Sequence, residues 1–368
     1  MKVGVMTIGD EVLQGRILDK NKANLGQFFL TRGIEVSLSI NPPDEAEALK
    51  RALVYMLEEV DLLVITGGLG QTKDDMTYRI TKEVCQDYQE EIIPNHNGAA
   101  HGYLLKKGVK SLILVPGPPN ENQPMFEAID KVLDRQELYE KFYHLMGIGE
   151  YDLEKSFEGN FGNEAQQLLT YVSIGYVSLR VFSKDQDQFI RLSEKVEAVF
   201  GDYIFYEDKM DIEEQILDKL RKENLSICLA ESVTAGGLMK RLTSVSGASD
   251  VVYGGMVVYQ DQAKTQLLGI SPELLETYTS VSSQASLALA RSSRIKTGAD
   301  ISLGITGYAE HEDDEKRGLC YIHIVSPWGE EAFFRKVPSR ERNRSREAMI
   351  NFALASLWKM LAKMPVMD

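Results

Sequence analysis

Short apolar runs alternate with helix-forming stretches from the first residue to about residue 140. Strands that alternate with helices along a chain pack as a parallel, doubly wound sheet, and the loops at the carboxyl ends of its strands border one crevice. The pattern therefore predicts an α/β fold whose ligand-binding residues lie in those loops. The predicted elements are a strand at 3–8, a helix at 21–31, a strand at 34–40, a helix at 45–58 and strands at 62–65 and 112–115.

The next region, residues 143–206, has a different pattern. It carries a strand-like alternation at 173–182, a helical stretch at 186–200 and a short apolar run at 203–205, without a dense cluster of polar residues. A region of this kind is typical of a packing or spacer unit. We predict a small α+β domain that carries no chemistry.

From residue 207 onward strands and helices alternate again, which predicts a second α/β domain. The whole chain is thus predicted to hold two α/β domains, 1–142 and 207–368, joined by the α+β domain at 143–206. The predicted elements of the last domain are helices at 212–222, 263–268, 283–297 and 342–362 and strands at 227–230, 251–259, 301–305 and 320–325.

Composition limits the class of protein and of partner. The 368 residues are enough for two to three domains, and 43% hydrophobic and 26% charged residues are ordinary for a soluble globular protein. The net charge of -14 argues against a nucleic-acid partner, because a phosphate backbone requires a surplus of Lys and Arg. A small anionic ligand held by a few local donors fits this charge.

The cysteines and the apolar segments predict a compartment. Cys85, Cys228 and Cys320 have no CxxC spacing, which is typical of a reducing environment and argues against a zinc finger or a disulfide framework. The apolar start of the chain is too short for a secretion signal, and no stretch approaches the length of a membrane span. We therefore expect a cytoplasmic protein without a membrane partner.

A glycine-rich segment with two acids follows the strand at 62–65. Gly67, Gly68 and Gly70 let backbone N–H groups approach an anion without an intervening Cβ, and Asp74 and Asp75 supply carboxylates for a divalent cation. This arrangement is typical of a phosphate and metal site. The alternative is an ordinary strand-to-helix turn whose acids cap the following helix.

Acids and glycines also follow the other predicted strands of this region. Glu11 comes after the first strand, Asp44 after the second, and Pro116 and Gly117 after the fourth. Carboxylates that converge beside a glycine-rich anion site are suited to metal-assisted phosphoryl chemistry, and carboxylate ligands suit magnesium, manganese or cobalt. Convergence from several strands favours this hypothesis over helix capping.

The last region contains residues suited to nucleophilic catalysis. Ser232 precedes a predicted helix, and Lys264, five residues after Tyr259, could act as its base if burial or nearby positive charge kept the amine neutral. The alternatives are that Ser232 and Thr234 cap the helix and that Lys264 lies on a solvated helix face.

These motifs together resemble the CinA family, competence/damage-inducible protein A. In the first domain the resemblance rests on Gly-Asp-Glu, Pro-Asp, Thr-Gly-Gly-x-Gly-x-x-x-Asp-Asp-x-Thr and Pro-Gly-x-Pro, a set shared with the molybdopterin-binding fold. In the last domain it rests on the Glu-Ser-x-Thr-x-Gly, Tyr-x-x-x-x-Lys and Thr-Gly motifs, at 231–236, 259–264 and 306–307. The resemblance covers nearly the whole chain.

For the first domain the resemblance implies a metal-dependent pyrophosphatase that acts on ADP-ribose or a similar dinucleotide. Asp44 and Asp75 would be the functional carboxylates, with Asp74 and Glu11 as further metal ligands. Gln71 stands where the family usually has Pro. The implied substrate-binding residues are Gly67, Gly68, Gly70, Thr77, Pro116 and Gly117.

For the last domain the resemblance implies deamidation of nicotinamide mononucleotide. Ser232 would be the nucleophile and Lys264 its base, assisted by Tyr259 and Thr306, with N–H groups at the helix start stabilising the oxyanion. The implied substrate-binding residues are Thr234, Gly236 and, for the phosphate, Arg342 or Arg346. The alternative for the arginines is a solvated turn.

The last domain also departs from the family pattern. Residues 308–314 read Tyr-Ala-Glu-His-Glu-Asp-Asp where the family has small residues and a Gly-rich loop, and Ala235 replaces a glycine. Added negative charge would repel a ligand phosphate if it faced the site. The altered loop thus leaves two alternatives for the last domain, an active deamidase site and one that is weakened or lost.

Two further expectations accompany the resemblance. Related molybdopterin-binding domains associate, which predicts a homodimer. The alternative to an enzyme is a non-catalytic protein that binds a nucleotide or a pterin and serves competence or the response to DNA damage.

Overall fold

A computed structural model describes residues 1–70, 75–133, 138–207, 211–337 and 341–364. The chain divides into two compact units, Met1–Leu138 and Tyr139–Asp368. Among the described residues, none of the helices combines the length and the apolar character that crossing a membrane requires.

Unit 1 is built on a six-stranded sheet with the strand order β2-β1-β3-β6-β5-β4. The strands β1, β2, β3 and β6 are parallel, while β4 and β5 form an antiparallel hairpin edge. In chain order the elements are β1 (Val3–Thr7), α1 (Asp10–Leu13), α2 (Lys20–Leu30), β2 (Val36–Ile40), α3 (Ala46–Glu59), β3 (Leu62–Thr66), α4 (Thr77–Val84), β4 (Gln89–Ile93), β5 (Gly102–Lys107), β6 (Lys110–Val115), α5 (Pro119–Asn122), a 3-10 turn (Gln123–Phe126) and α6 (Glu127–Asp130).

Helices cover both faces of this sheet, so its central strands are apolar except for the threonine at the carboxyl end of each. All residues of β1 and β3 are buried. Leu25 and Phe29 of α2 pack on one face, and Leu53 and Met56 of α3 pack on the other. The predicted α/β fold and the four predicted parallel strands are confirmed, and the hairpin of β4 and β5 was not predicted.

The first part of unit 2 is a four-stranded antiparallel sheet with the order β10-β7-β9-β8. The helices α7 and α8 pack on it through Phe157, Val196 and Phe200. The elements are β7 (Tyr139–Leu145), α7 (Glu150–Phe161), a 3-10 turn (Gly162–Gln167), β8 (Leu168–Ser173), β9 (Tyr176–Ser183), α8 (Gln186–Phe200) and β10 (Ile204–Tyr206). The strand predicted at 173–182 is confirmed as β9 from residue 176 onward, but its first three residues lie outside β9 because the chain reverses between β8 and β9, where Gly175 adopts a φ of +90°.

The second part of unit 2 is a five-stranded sheet with the order β12-β11-β13-β14-β15, in which β11, β12 and β13 are parallel. The long helix α14 buries residues on every side, among them Met349, Ala353 and Leu357. The elements are α9 (Ile212–Lys222), β11 (Ile227–Glu231), α10 (Gly237–Thr243), a 3-10 turn (Ala248–Asp250), β12 (Val252–Val257), α11 (Asp261–Leu268), α12 (Pro272–Tyr278), α13 (Ser283–Thr297), β13 (Ile301–Gly307), β14 (Leu319–Ser326), β15 (Gly329–Lys336) and α14 (Arg342–Ala362).

Candidate active sites

A cavity of about 450 Å³ lies at the carboxyl ends of the parallel strands in unit 1. The loops after β1, β2, β3 and β6 border it, which is where a parallel sheet places ligand-binding residues. A volume of this size accommodates a small organic ligand. The lining residues are Ile8, Gly9, Glu11, Asp44, Gly67, Gly68, Leu69, Gly70, Asp75, Ala99, Ala100, Pro116, Gly117, Pro118 and Glu121.

Two of the glycines in the wall are required by the geometry of the turn after β3. Gly67 has a φ of +97°, and a Cβ there would lie 2.3 Å from the backbone oxygen of Ile8. Gly68 has a φ of +64°, and a Cβ there would lie 2.1 Å from Thr77 Oγ1. Both positions exclude a side chain, so bare backbone faces the cavity.

Thr77 supports this turn from behind. Its side chain is fully buried, its Oγ1 donates to the backbone oxygen of Gly67 over 3.0 Å, and its N–H donates to that of Gly68 over 3.0 Å. Thr77 does not line the cavity. The structure therefore gives it a positioning role in place of the predicted substrate contact.

Four carboxylates line the cavity: Glu11, Asp44, Asp75 and Glu121. Asp44 is fixed by the start of α1, since its Oδ2 accepts the Asp10 N–H over 3.2 Å and its own N–H donates to Asp10 Oδ1 over 3.1 Å. Asp75 packs against Gly70, where a Cβ would lie 2.5 Å from Asp75 Oδ2. The structure thus brings three of the predicted acids to one cavity and adds Glu121.

The donors in this cavity suit a hard divalent cation. Among the described residues, no three His, Cys, Asp or Glu side chains are close enough together to form a complete metal site. Asp74, one of the predicted ligands, lies outside the described residues. Magnesium needs only one or two protein carboxylates when phosphate and water complete its shell, and the family resemblance assigns that role to Asp44 and Asp75.

Two buried asparagines hold the turn after β6, and sequence reasoning missed them. Asn122 Nδ2 donates to Asn21 Oδ1 over 2.8 Å and to the Pro116 oxygen over 2.9 Å. Asn21 Nδ2 donates to the Gly117 oxygen over 2.7 Å. These bonds fix the backbone of Pro116 and Gly117 at the cavity. An isolated Asn in a helical stretch is usually exposed, so no local sequence signal identified either residue.

In unit 2 the predicted site residues lie at the carboxyl ends of β11, β12 and β13. The Ser232 N–H donates to the Ile305 oxygen over 3.1 Å, and the Val258 N–H donates to the Glu231 oxygen over 2.8 Å. These bonds tie the three loops together. Ser232, Tyr259 and Thr306, far apart in sequence, therefore belong to the same edge of the sheet.

Glu231 caps the helix that follows Ser232. Its buried carboxylate accepts the backbone N–H groups of Gly236, Leu238 and Met239 over 3.0, 3.1 and 2.8 Å. The prediction that N–H groups at the helix start hold the oxyanion is therefore wrong for these three, because they already have an acceptor. Helix capping by Ser232 is also excluded, since that helix begins five residues later.

The loop between Glu231 and α10 still has unused polar groups beside Ser232. The backbone N–H groups of Val233 and Thr234 make no hydrogen bond within the part of the chain that the structure describes. Thr234 Oγ1 is buried and likewise has no partner among the described residues. The N–H groups of Val233 and Thr234, adjacent to Ser232 in sequence, are therefore candidate donors for a ligand.

Ala235 and Gly236 both adopt left-handed backbone conformations, with φ values of +53° and +90°. Replacing Ala235 by Gly is expected to raise the free energy of unfolding by about 0.5–1 kcal/mol, because relief of the strained alanine exceeds the added entropy of the unfolded chain. The free energy of unfolding is measured by urea titration. Ala263→Gly inside α11 is the matched control and should destabilise by about 1 kcal/mol. If both variants lose stability, the conclusion that the Ala235 backbone is strained is wrong.

Lys264 is buried, with 1% of its surface exposed. This excludes the alternative that Lys264 lies on a solvated helix face. Its Nζ donates to Asp261 Oδ1 over 3.2 Å and to the Tyr259 oxygen over 3.4 Å. The predicted nucleophile Ser232 and base Lys264 are thus not joined by a hydrogen bond in the part of the chain that the structure describes.

Asp261 connects Lys264 to the loop after α12. Burial alone would raise the pKa of the Asp261 carboxyl, but hydrogen bonds from Ser280 and Lys264 hold it below its ordinary value. Thr306 Oγ1 donates to the Ser280 oxygen over 2.7 Å and is buried. The hydroxyl of Thr306 therefore holds this loop by donating to Ser280. Its role in assisting Ser232 and Lys264 stays a prediction.

Arg342 and Arg346 lie at the start of α14 and converge on Tyr259. The Tyr259 hydroxyl is in hydrogen-bond contact with Arg342 and lies 3.4 Å from Arg346 Nη2, and the Arg346 guanidinium lies 5.9 Å from the centre of the Tyr259 ring. Both arginines are thus placed against a residue of the predicted site, which favours the phosphate hypothesis over a solvated turn. Arg342 also lies 3.6 Å from Glu310.

Comparison with known proteins identifies the family of this chain. The CinA-like protein of Dictyoglomus thermophilum is 31% identical and aligns with 94% of this chain and 96% of its own length. This chain belongs to the CinA family. A family relative from Desulforudis audaxviator, named as a competence-damage inducible protein, is also 31% identical over 89% of this chain and 91% of its own length.

Two family models cover the two sites. Residues 4–135 match a probable molybdopterin binding domain, and residues 209–361 match the CinA C-terminal domain. A competence or damage-inducible protein from Enterobacter asburiae, a solved structure, is 31% identical and covers 41% of this chain and 96% of its own, with a TM-score of 0.39. The motif resemblance at both ends of the chain is confirmed.

Proposed function

We propose that unit 1 hydrolyses the pyrophosphate bond of ADP-ribose or a similar dinucleotide with a divalent cation. The observation that carries this proposal is the unit 1 cavity, which has bare glycine backbone on one wall and four carboxylates around it. Water would attack one phosphorus, the bridging P–O bond would break, and AMP and ribose 5-phosphate would leave. A bound cation would offset the phosphate charge and lower the pKa of the attacking water.

The residues of this chain would orient that reaction. The backbone of Gly67 and Gly68 can approach a phosphate closely, because neither position admits a side chain. Asp44, held by hydrogen bonds to Asp10, and Asp75 would hold the cation. The buried Asn122 keeps the backbone of Pro116 and Gly117 at the cavity edge.

We further propose that unit 2 deamidates nicotinamide mononucleotide. Ser232 Oγ would attack the carboxamide carbon, Lys264 would take the hydroxyl proton and pass it to the departing ammonia, and water would then release nicotinate mononucleotide. The N–H groups of Val233 and Thr234 would stabilise the oxyanion. Since Lys264 is bonded to Asp261 in this structure, it must turn from Asp261 toward Ser232 when substrate binds.

Both activities can be tested on the purified full-length chain. Unit 1 is expected to release AMP from ADP-ribose with magnesium, manganese or cobalt and to stop when a chelator is added. Unit 2 is expected to release ammonia from nicotinamide mononucleotide in the presence of the same chelator. A chain that is inert toward ADP-ribose with all three metals would exclude the first activity, and absence of ammonia would exclude the second.

A non-catalytic role is the second candidate. Its support is the match of residues 4–135 to a probable molybdopterin binding domain. A binding protein would hold a pterin or a nucleotide in the same cavity without turnover. Calorimetry with ADP-ribose and with a pterin, on protein shown to be inactive, distinguishes this role from that of an enzyme.

A further inference from the structure

Arg342 already has an anionic partner in this structure. Its guanidinium contacts the Tyr259 hydroxyl on one side and lies 3.6 Å from Glu310 Oε2 on the other. Glu310 belongs to the loop between β13 and β14. A carboxylate thus stands beside the arginine that a ligand phosphate would need.

The loop that carries Glu310 is held by its own contacts. Its base is closed by the Gly318 N–H, which donates to the Tyr308 oxygen over 2.8 Å, and by the Tyr308 N–H, which donates to the Leu319 oxygen over 2.9 Å. Arg317 Nε donates to the His311 oxygen over 2.9 Å. The bonds at Tyr308 and His311 therefore hold the backbone on either side of Glu310 in place.

Glu310 is the acid of this loop that contacts Arg342, and the other acids are directed elsewhere. The Glu312 side chain forms no hydrogen bond or ion pair within the described ranges. The remaining pairs are Asp314 with Arg317, Glu315 with Lys336 at 3.9 Å, and Asp313 Oδ1 with the Glu315 N–H at 2.9 Å. The loop thus places a single carboxylate against the arginine pair.

We propose that Glu310 is a specificity-determining residue that competes with the ligand phosphate for Arg342. This inference rests on the proposed deamidase function of unit 2 and names a determinant of its substrate class. A phosphorylated ligand must displace the Glu310 carboxylate and enter beside its charge. An unphosphorylated nucleoside does not have to displace the Glu310 carboxylate and is not repelled by its charge. Glu310 therefore narrows the preference of the site for a nucleotide over the corresponding nucleoside.

The effect is modest because both partners are partly exposed. The side chains of Arg342 and Glu310 are 42% and 60% accessible, so water and salt weaken their attraction. Exposed ion pairs change equilibria by about twofold to fivefold. We expect the same range for the penalty that Glu310 imposes on a phosphate, and we expect it to decrease as the salt concentration rises.

The test compares Glu310→Gln with wild type and with Glu312→Gln, which removes a charge from the same loop. For nicotinamide mononucleotide, E310Q is expected to raise kcat/KM about twofold to fivefold. For nicotinamide riboside, which lacks the phosphate, kcat/KM should stay unchanged, and E312Q should match wild type on both substrates. Equal gains on both substrates, or the same gain in E312Q, would overturn the proposal.

A binding measurement separates this inference from the proposed activity. Calorimetric titration with inorganic phosphate should show tighter binding to E310Q than to wild type by a similar factor. The gain should vanish when Arg342→Ala is added. If phosphate binds E310Q more tightly but none of the proteins releases ammonia, the deamidase function fails and the role of Glu310 stands. Unchanged phosphate affinity overturns the role of Glu310 whatever the activity.

Discussion

Replacing Asp75 by Asn is expected to lower metal-dependent AMP release from ADP-ribose by about 100-fold or more. The change keeps the shape of the side chain and removes the charge that would hold a cation at the cavity wall. The Asp75 carboxylate can lie at this wall because Gly70 has no side chain. A Cβ at position 70 would lie 2.5 Å from Asp75 Oδ2. The rate should be measured over a range of metal concentrations, since weaker metal binding would show as partial recovery at high metal.

The matched control for this experiment is Asp87→Asn in the same unit. Asp87 pairs with Lys107 over 3.4 Å and its side chain is 80% exposed, so its loss should leave the rate unchanged. Thermal melting of both variants shows whether unit 1 is still folded. A folded D75N variant with the rate of wild type would exclude Asp75 from the reaction and, with it, the proposed metal site.

Buried parallel strands were the part of the fold that sequence patterns predicted best. Residues 62–65 form an uninterrupted apolar run because helices cover both faces of the sheet, and they fall within β3. The strand β4 was missed for the opposite reason. Four of its five residues are exposed, and its two acids, Glu90 and Glu91, interrupt the apolar pattern by which a strand is recognised, although the strand pairs with β5 along its whole length.

The first site was predicted from its position in the fold more than from any single motif. Glu11, Asp44 and Gly117 follow different strands, and a parallel sheet brings those strand ends together. The supporting contacts carry no such signal. Asn122 and Thr77 act through buried hydrogen bonds to backbone oxygens, and which oxygen a polar side chain reaches depends on tertiary packing.

The second site shows why a motif does not determine the contacts of its residues. Ser232 and Lys264 were predicted as a pair, yet Lys264 is bonded to Asp261, three residues before it on the same helix. Neighbours at that spacing meet on a helix surface without any long-range packing. Likewise, the buried Glu231 takes the helix N–H groups that Ser232 was expected to use. Which of several nearby groups a side chain bonds depends on the three-dimensional arrangement of the residues, and the spacing of a motif does not specify that arrangement.

Replacing Ser232 by Ala is expected to lower ammonia release from nicotinamide mononucleotide by about 1000-fold or more. The hydroxyl oxygen has no hydrogen bond within the described part of the chain, so the free energy of unfolding should change by less than about 0.5 kcal/mol. A nucleophile that is not needed for folding produces this combination of results. Ser244→Ala, at an exposed position of the same unit, is the control and should keep the wild-type rate.

Replacing Lys264 by Met tests whether Lys264 and Ser232 act in the same step. Methionine fills the buried volume of Lys264 without an amine, and the side chain of Asp261 is 58% exposed, so the remaining carboxylate can be hydrated. We expect K264M to lose as much activity as S232A, and we expect the double variant to be no slower than either, because residues that act in one step are not additive. Multiplicative losses in the double variant would mean that Ser232 and Lys264 act in separate steps, and equal rates in wild type and both single variants would reject the pair.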